Sequence, residues 1–257
     1  MRIVIKIGTS TLAHSTGLVN LRRVEELVHV MADLKNAGHE LVLVTSGSIG
    51  IGAGKLGLRS RPEDIPGKQA CASVGQCELM YIYDKLFSGY NHTVSQVLLT
   101  RDIVDSAERK QNVINTFERL LALGVLPIVN ENDAVSTEEI EFGDNDTLSA
   151  IVGQLVHADL LIILSDVDGL YDLPPQNHPE AKLISHVSEI TPQLLEMAGG
   201  SGSNLGTGGM ITKLMAAEIA LKSGFAMSLI SGARPEVLYD VIDGKPVGTR
   251  FERTIAQ

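Results

Sequence analysis

The sequence predicts an α/β fold, a three-layer α/β/α sandwich with a mainly parallel central sheet. Short β-branched runs alternate along the chain with longer amphipathic segments, which is the pattern of the β-α units that build parallel sheets. Several of these runs are apolar at consecutive positions, as expected for strands that helices cover on both faces. Glycines follow three of the amphipathic segments, at Gly38, Gly124 and Gly224, where a left-handed residue commonly ends a helix.

The β-branched runs predict strands at residues 2–7, 41–45, 94–99, 125–129, 160–164 and 226–230. The amphipathic segments predict helices at residues 20–37, 69–88, 108–123, 146–157, 188–198 and 209–223. Asn20 and Asp146 are the predicted N-caps of two helices. Stretches rich in Gly, Pro, Asn and Asp predict loops at residues 54–68, 131–145, 172–182 and 199–209. Since no linker separates two independent regions, we expect one domain over residues 1–257, with two lobes that meet near residue 150.

Composition and charge exclude several classes of partner. The chain is 44% hydrophobic and only 4% aromatic, which predicts a mainly aliphatic core. Its formal net charge of −10 provides no basic field, so we expect neither a nucleic acid nor an anionic membrane surface as a partner. Lys6 interrupts the N-terminal apolar run, and no stretch reaches the roughly 18 apolar residues of a membrane span. We therefore expect a cytoplasmic protein, in which Cys71 and Cys77 remain reduced thiols.

Polar and glycine-rich clusters follow four of the predicted strands. Because ligands of open parallel sheets bind at the carboxyl ends of the strands, four clusters on one edge predict a ligand site there. The clusters are Gly8-Thr9-Ser10, Ser46-Gly47-Ser48, Asn130-Glu131-Asn132-Asp133 and Ser165-Asp166-Val167-Asp168-Gly169.

Lys6 lies inside the first predicted strand, where a lysine is usually solvated or guards a sheet edge. Its neighbours Ile3, Val4, Ile5 and Ile7 leave no polar face, so we expect the side chain to point toward a ligand. Phosphoryl transfer requires fixed positive charge near the transferred group, because little covalent chemistry remains for the protein. Lys6 is therefore a candidate phosphate contact.

Two helix N-termini are further candidates. Residues 206–213, GTGGMITK, place glycines and a threonine before a helix whose free amides and dipole favour phosphate, and Lys213 can reach the same anion. Residues 141–150, EFGDNDTLSA, place Asp144, Asn145 and Asp146 at the start of another helix, and Asp133 arrives from a neighbouring strand. Such carboxylates either hold the lysines in position or bind an ammonium group of a substrate.

Other motifs are weak. Residues 52–57 match G-x-G-x-x-G, but the match begins several residues after its strand and no acidic residue follows at the spacing of a dinucleotide site. No Walker A string occurs, and the seven histidines show no metal-ligand spacing.

The strings that carry these candidates resemble the glutamate 5-kinase branch of the amino acid kinase superfamily. They occur in the family's order and span nearly the whole chain. The matching strings are VIKIGTS (4–10), VTSGSIGIG (44–52), VNENDAV (129–135), GDNDTLSA (143–150), LSDVDGLY (164–171) and GTGGMITK (206–213).

The resemblance implies the amino acid kinase, or carbamate kinase-like, fold, with a glutamate-binding lobe at about 1–150 and an ATP-binding lobe at about 151–257. It implies transfer of the γ-phosphoryl group of MgATP to the side-chain carboxylate of L-glutamate, the first step of proline biosynthesis. Lys6, Lys213 and Asp146 would be catalytic, and Ser46, Gly47, Asp133 and Asn145 would bind the substrate. The nucleotide would contact Lys6, Gly8, Ser165, Asp166, Thr207, Gly208, Gly209, Met210, Ile211, Thr212 and Lys213.

The resemblance also implies feedback inhibition by L-proline and a homo-oligomer, a dimer or a tetramer. Mg²⁺ would be held largely by ATP oxygens and water, so we assign it no protein ligand. Many family members continue into a C-terminal PUA domain, and we expect none here because the chain stops at Gln257. The alternatives are a kinase for aspartate, N-acetylglutamate or a nucleoside monophosphate, a non-catalytic amino-acid sensor, and a Rossmann dehydrogenase.

Overall fold

A computed structural model describes residues 1–14, 16, 18–136, 145–173, 175, 178–198 and 209–253. The strands in these ranges are β1 (Arg2–Ile7), β2 (Glu40–Val44), β3 (Val94–Leu99), β4 (Leu126–Glu131), β5 (Leu160–Ser165), β6 (Leu170–Tyr171), β7 (Leu183–Ile184), β8 (His186–Val187), β9 (Ala226–Ser231) and β10 (Thr249–Phe251). The helices are α1 (Thr9–Leu12), α2 (Leu21–Asn36), α3 (Ser48–Lys55), α4 (Ile65–Ser88), α5 (Ala107–Ala122), α6 (Asp146–Leu155), α7 (Pro192–Ala198), α8 (Met210–Ser223) and α9 (Val237–Ile242), with a 3₁₀ helix at Arg101–Asp105.

The main sheet has the strand order β3-β4-β2-β1-β5-β9-β10-β8. Neighbouring strands from β3 to β9 are parallel, whereas β10 pairs antiparallel with β9 and parallel with β8. Strand β1 lies between β2 and β5, with Lys6 opposite Val44 on one side and Ile163 on the other. Strands therefore lie on both sides of β1, and the strand order reverses at β1. In open parallel sheets such a topological switch point forms a crevice for ligands at the carboxyl ends of the strands.

Side chains alternate across the sheet and form two hydrophobic clusters. Ile3 and Ile5 of β1 belong to the cluster that helices α2 and α4 cover, together with Leu27 and Phe87. Val4 belongs to the opposite cluster, which α5, α6 and α8 cover. Because strand side chains alternate with a period of two, Lys6 lies on the same face as Val4, toward α6 and α8. The three-layer α/β/α fold with a mainly parallel sheet is confirmed.

Most of the predicted elements agree with the structure to within two residues. Asn20 caps α2 by accepting a hydrogen bond from the backbone N–H of Arg23 at 3.3 Å, as predicted. Gly38, Gly124 and Gly224 have φ angles of 93°, 72° and 84°, the left-handed conformation that their positions predict. Within the described ranges, none of the helices combines the length and hydropathy that crossing a bilayer requires.

Several boundaries differ from the prediction. Helix α3 occupies residues 48–53, for which the sequence predicted neither a helix nor a strand, and the first two residues of a predicted loop. Its sequence SIGIGAGK has low intrinsic helix propensity, and packing on α4 stabilises the helix. Helix α4 begins at Ile65, four residues early, because Asp64 caps it. The helix predicted from residue 188 begins at Pro192, after strand β8.

The predicted N-cap role of Asp146 is wrong. Asn145 occupies the N-cap position of α6, and Asp146 is the first residue of the helix. Its carboxylate contacts two lysines, described below.

Helices α3 and α4 cross at a contact that only glycine permits. A Cβ atom at Gly52 would lie 1.8 Å from the carbonyl oxygen of Cys71, and one at Gly75 would lie 1.8 Å from that of Ser48. The first glycine of the G-x-G-x-x-G match therefore serves the packing of two helices, and this packing positions the start of α3 beside the sheet edge.

Gly52→Ala should destabilise the protein by about 1–3 kcal/mol or more, because the added methyl group forces the two helices apart. Gly50→Ala in the same helix is the matched control: no atom lies within 4 Å of its added Cβ, so better helix propensity should stabilise the protein by up to about 1 kcal/mol. Urea unfolding of both variants measures the difference. Equal stabilities would contradict the close crossing.

Candidate active site

Two buried lysines and one buried aspartate meet at the carboxyl edge of the sheet. The Nζ atom of Lys6 lies 2.7 Å from Oδ1 of Asp146, and the Nζ atom of Lys213 lies 3.1 Å from Oδ2 of the same carboxylate. The side chains of the three residues, which we call the charge triad, are 3%, 0% and 6% exposed for Lys6, Asp146 and Lys213. One carboxylate thus contacts both ammonium groups, one through each of its oxygens.

Three elements bring the charge triad together. Lys6 is the penultimate residue of the central strand β1, Asp146 is the first residue of α6, and Lys213 lies in the first turn of α8. Helices α6 and α8 pack on each other and cover the face of the sheet toward which Lys6 points. The positive end of the α6 dipole stabilises the Asp146 carboxylate.

The first turn of α8 adds hydrogen-bonding groups beside the charge triad. The hydroxyl of Thr212 lies 3.0 Å from Oδ2 of Asp146 and 2.8 Å from the carbonyl oxygen of Gly209, and it can donate to either. Gly209 is the N-cap of α8 and provides no side chain to cap the first amides. An amide-rich helix start next to two lysines is an arrangement that binds phosphate oxygens.

A chain of amide side chains lies next to the charge triad. Asn145 donates from Nδ2 to the carbonyl oxygen of Thr45 and to Oδ1 of Asn130, both at 2.7 Å. Asn130 donates in turn from Nδ2 to Oε1 of Gln76 on α4, at 2.9 Å. The amide chain (Gln76, Asn130 and Asn145) therefore links α4, the end of β4 and the start of α6.

The turn between β2 and α3 and the turn after β4 complete this part of the site. Gly47 has a φ angle of 94°, and a Cβ atom there would lie 3.2 Å from Cγ2 of Thr9. Ser48 donates from Oγ to Oδ2 of Asp133 at 2.7 Å. Ser46 is 2% exposed, and its hydroxyl has no hydrogen-bond partner in the part of the chain that the structure describes. A buried polar atom of this kind is suited to a bound ligand.

Tyr83 of α4 contacts the turn that follows β2. It is fully buried, and its hydroxyl lies 3.1 Å from Oγ1 of Thr45. Burial raises the pKa of the Tyr83 phenol above its ordinary value, so the group remains a neutral hydrogen-bonding partner of Thr45.

The structure brings most of the predicted site residues to one edge. Gly8 is adjacent to the charge triad, since a Cβ atom there would lie 3.8 Å from Nζ of Lys6. Ser165 ends β5, next to β1, and its hydroxyl donates to Oδ1 of Asp166 at 3.0 Å. Met210 and Ile211 begin α8, and Ile211 is exposed. Asp144, Thr207 and Gly208 lie outside the described residues.

Sequence reasoning missed Thr45, Gln76 and the individual role of Asn130. Asn130 belongs to a polar cluster that the sequence singled out, whereas Gln76 is one of several polar residues of α4 and carries no motif. No group of three or more His, Cys, Asp or Glu side chains in the described ranges is placed to hold a metal ion.

A model of the amino acid kinase family matches residues 1–230. The chain belongs to the amino acid kinase family. Among its relatives, the glutamate 5-kinase of Clostridium perfringens is 56% identical, over 97% of this chain and 94% of that protein. The glutamate 5-kinase of Listeria welshimeri is 53% identical, over 97% of this chain and 92% of that protein.

Solved structures share the fold. The UMP kinase of Bacillus anthracis superposes with a TM-score of 0.67 and 17% identity, over 100% of this chain and 97% of that chain. The product complex of the isopentenyl phosphate kinase of T. acidophilum superposes with a TM-score of 0.62 and 16% identity, over 98% of this chain and 100% of that chain. At these identities the similarity extends to the architecture alone.

Asp146→Asn should destabilise the protein by about 3–5 kcal/mol, because it leaves two buried ammonium groups without their shared carboxylate. The control is Glu218→Gln, which breaks an exposed ion pair with Lys222 on α8 and should cost less than about 0.5 kcal/mol. Chemical denaturation at neutral pH compares the two variants. A cost for Asp146→Asn as small as that of the control would show that the carboxylate does not hold the lysines.

Proposed function

We propose that this protein is an ATP-dependent kinase that phosphorylates the side-chain carboxylate of L-glutamate to L-glutamate 5-phosphate, the first step of proline biosynthesis. The observation that carries this proposal is the charge triad, in which one carboxylate holds two ammonium groups at the carboxyl edge of the sheet. The relatives named glutamate 5-kinase, which match nearly the whole chain, support the choice of glutamate as the acceptor.

The reaction requires no general base in this site. The acceptor is a carboxylate, which is already ionised at neutral pH, and its oxygen attacks the γ-phosphorus while the bond to the β-γ bridging oxygen breaks and ADP leaves. The obstacle is the approach of one anion to another. Fixed positive charge and amide donors offset this repulsion, because they act without reorganising during the reaction.

Each member of the charge triad has a distinct role in this proposal. Lys6, on the central strand, contacts the transferred phosphoryl group. Lys213, with the first amides of α8, contacts the β- and γ-phosphates. Asp146 is a positioning residue that orients both ammonium groups. Mg²⁺ bound to the triphosphate would neutralise part of its charge, and we assign it to phosphate oxygens and water rather than to protein ligands.

The acceptor site lies on the other side of Lys6. Ser46, Gly47, Asp133 and Asn145 surround it, and they offer a hydroxyl, a turn backbone, a carboxylate and an amide oxygen. Carboxylate and amide oxygens accept hydrogen bonds from the ammonium group of an amino acid. Feedback inhibition by L-proline, which also carries an ammonium group and a carboxylate, is part of this proposal, as is a homo-oligomeric assembly.

The nucleotide site lies toward β5 and α8. We assign to it Gly8, Ser165, Asp166, Thr207, Gly208, Gly209, Met210, Ile211 and Thr212, in addition to the two lysines. In the described part of this set, Gly8 and Thr212 flank the charge triad, which agrees with a triphosphate that ends there.

A hydroxamate assay with ATP, Mg²⁺ and L-glutamate tests the function directly. We expect glutamate-dependent hydroxamate that falls when L-proline is added, and far less with aspartate or N-acetylglutamate. A nucleoside monophosphate forms no hydroxamate, so ADP release is measured for it, and we expect far less than with glutamate. A preference for any of these other acceptors would reassign the substrate. Binding of glutamate or proline without any ATP turnover would instead indicate a sensor.

Lys6→Ala should lower kcat for glutamate by about 10²-fold or more, by analogy with the removal of one oxyanion donor. The control is Lys222→Ala, which removes an exposed lysine of α8 and should leave kcat unchanged. Steady-state kinetics at saturating ATP and glutamate compare both variants with the parent protein. Full turnover by Lys6→Ala would remove this lysine from the mechanism.

A further inference from the structure

One backbone N–H group determines which atoms of the amide chain donate hydrogen bonds and which accept them. The N–H of Glu131 lies 3.0 Å from Oδ1 of Asn130, and because a backbone N–H only donates, that atom must be the carbonyl oxygen. The other end of the Asn130 amide is therefore a donor, and it must face Oε1 of Gln76. Asn145 uses both hydrogens of its Nδ2 atom on Thr45 and Asn130.

With these roles assigned, one donor and one acceptor, at the two ends of the amide chain, remain available to a ligand. Nε2 of Gln76 and Oδ1 of Asn145 have no hydrogen-bond partner among the described residues, although Gln76 is only 8% exposed and Asn145 is 0% exposed. Buried polar groups in folded proteins are nearly always paired, with protein, water or ligand. An amino acid offers the matching groups, since its carboxylate accepts hydrogen bonds and its ammonium group donates them.

Gln76 lines a cavity of about 230 Å³, which Asp133 of the proposed acceptor site also lines. The volume is below the roughly 300–1,000 Å³ typical of sites for drug-sized ligands, and it suits a smaller molecule. Glu131 also contributes to the lining, so the wall carries two carboxylate side chains. A substrate carboxylate placed there requires a hydrogen-bond donor to offset this negative charge, and Nε2 of Gln76 is such a donor.

We propose that Gln76 is a specificity-determining residue, whose Nε2 atom donates a hydrogen bond to the α-carboxylate of the acceptor amino acid. The assignment rests on the proposed function, in which the side-chain carboxylate of glutamate lies at Lys6 and only the α-carboxylate remains to be bound. Through Asn130, the same glutamine keeps Oδ1 of Asn145 turned toward the substrate ammonium group.

Gln76→Glu tests this assignment, because it preserves the shape of the side chain and the acceptor for Asn130 while replacing the donor with a carboxylate oxygen. The KM for glutamate should rise by about tenfold or more, as for the loss of a hydrogen bond to a charged group. The kcat and the KM for ATP should stay within about twofold. The matched control is Gln69→Glu, seven residues earlier on α4 and partly exposed, which should change none of these values.

Two competitive inhibitors separate recognition of the α-carboxylate from a structural effect. Glutarate retains both carboxylates of glutamate, whereas 4-aminobutyrate lacks the α-carboxylate. Gln76→Glu should raise the inhibition constant of glutarate by the same factor as the KM for glutamate and leave that of 4-aminobutyrate unchanged. Gln76→Met adds no charge but also removes the acceptor for Asn130. It should weaken the binding of glutarate more than that of 4-aminobutyrate, and it covers the case in which Gln76→Glu does not fold.

An unchanged KM for glutamate, or an equal loss for both inhibitors and for ATP, would overturn the assignment of Gln76. These results are distinguishable from a failure of the proposed function. Parent protein without glutamate-dependent turnover would overturn that function. Active parent protein, together with a Gln76→Glu variant whose KM for glutamate is unchanged, would overturn the assignment of Gln76 alone.

Discussion

The arrangement of the site depends on a single carboxylate that holds two lysines away from water. Asp146 is fully buried, and each of its oxygens contacts one ammonium group. Two positive charges in so small a space repel each other, and the carboxylate between them makes their proximity stable. The fold must therefore place the start of α6 next to the end of β1 and the start of α8.

Parallel strand order satisfies this requirement. Strand β1 lies between β2 and β5, so residues that follow the strands on both sides of β1 meet at one edge of the sheet. The charge triad lies on the face that α6 and α8 cover, while the amide chain reaches from the start of α6 across to α4 on the opposite face. The glycine contact of Gly52 and Gly75 holds α3 close to α4, so the turn at Gly47 stays beside the same edge.

Periodicity and end signals were sufficient to predict most of the fold, because strands such as β1 are apolar on both faces and helices such as α2 have caps and terminal glycines. Helix α3 was not predicted, because its glycine-rich sequence becomes helical only through contact with α4. In the site, Lys6 was recognisable as a charge inside an apolar strand, and Lys213 as a cation that follows a glycine-rich helix start. The sequence also allowed Asp146 to hold the lysines, although it placed this residue one position early, as the N-cap of α6. Gln76 depends on long-range contacts that no local pattern encodes.

The central claim is that both lysines act on one triphosphate while Asp146 keeps them together. A crystal structure with a non-hydrolysable ATP analogue, Mg²⁺ and glutamate measures this directly. The account predicts Nζ of Lys6 and Nζ of Lys213 within hydrogen-bond distance of oxygens of the same nucleotide, with the glutamate side-chain carboxylate facing the γ-phosphate. A nucleotide bound at another edge of the sheet, or in contact with neither lysine, would contradict it.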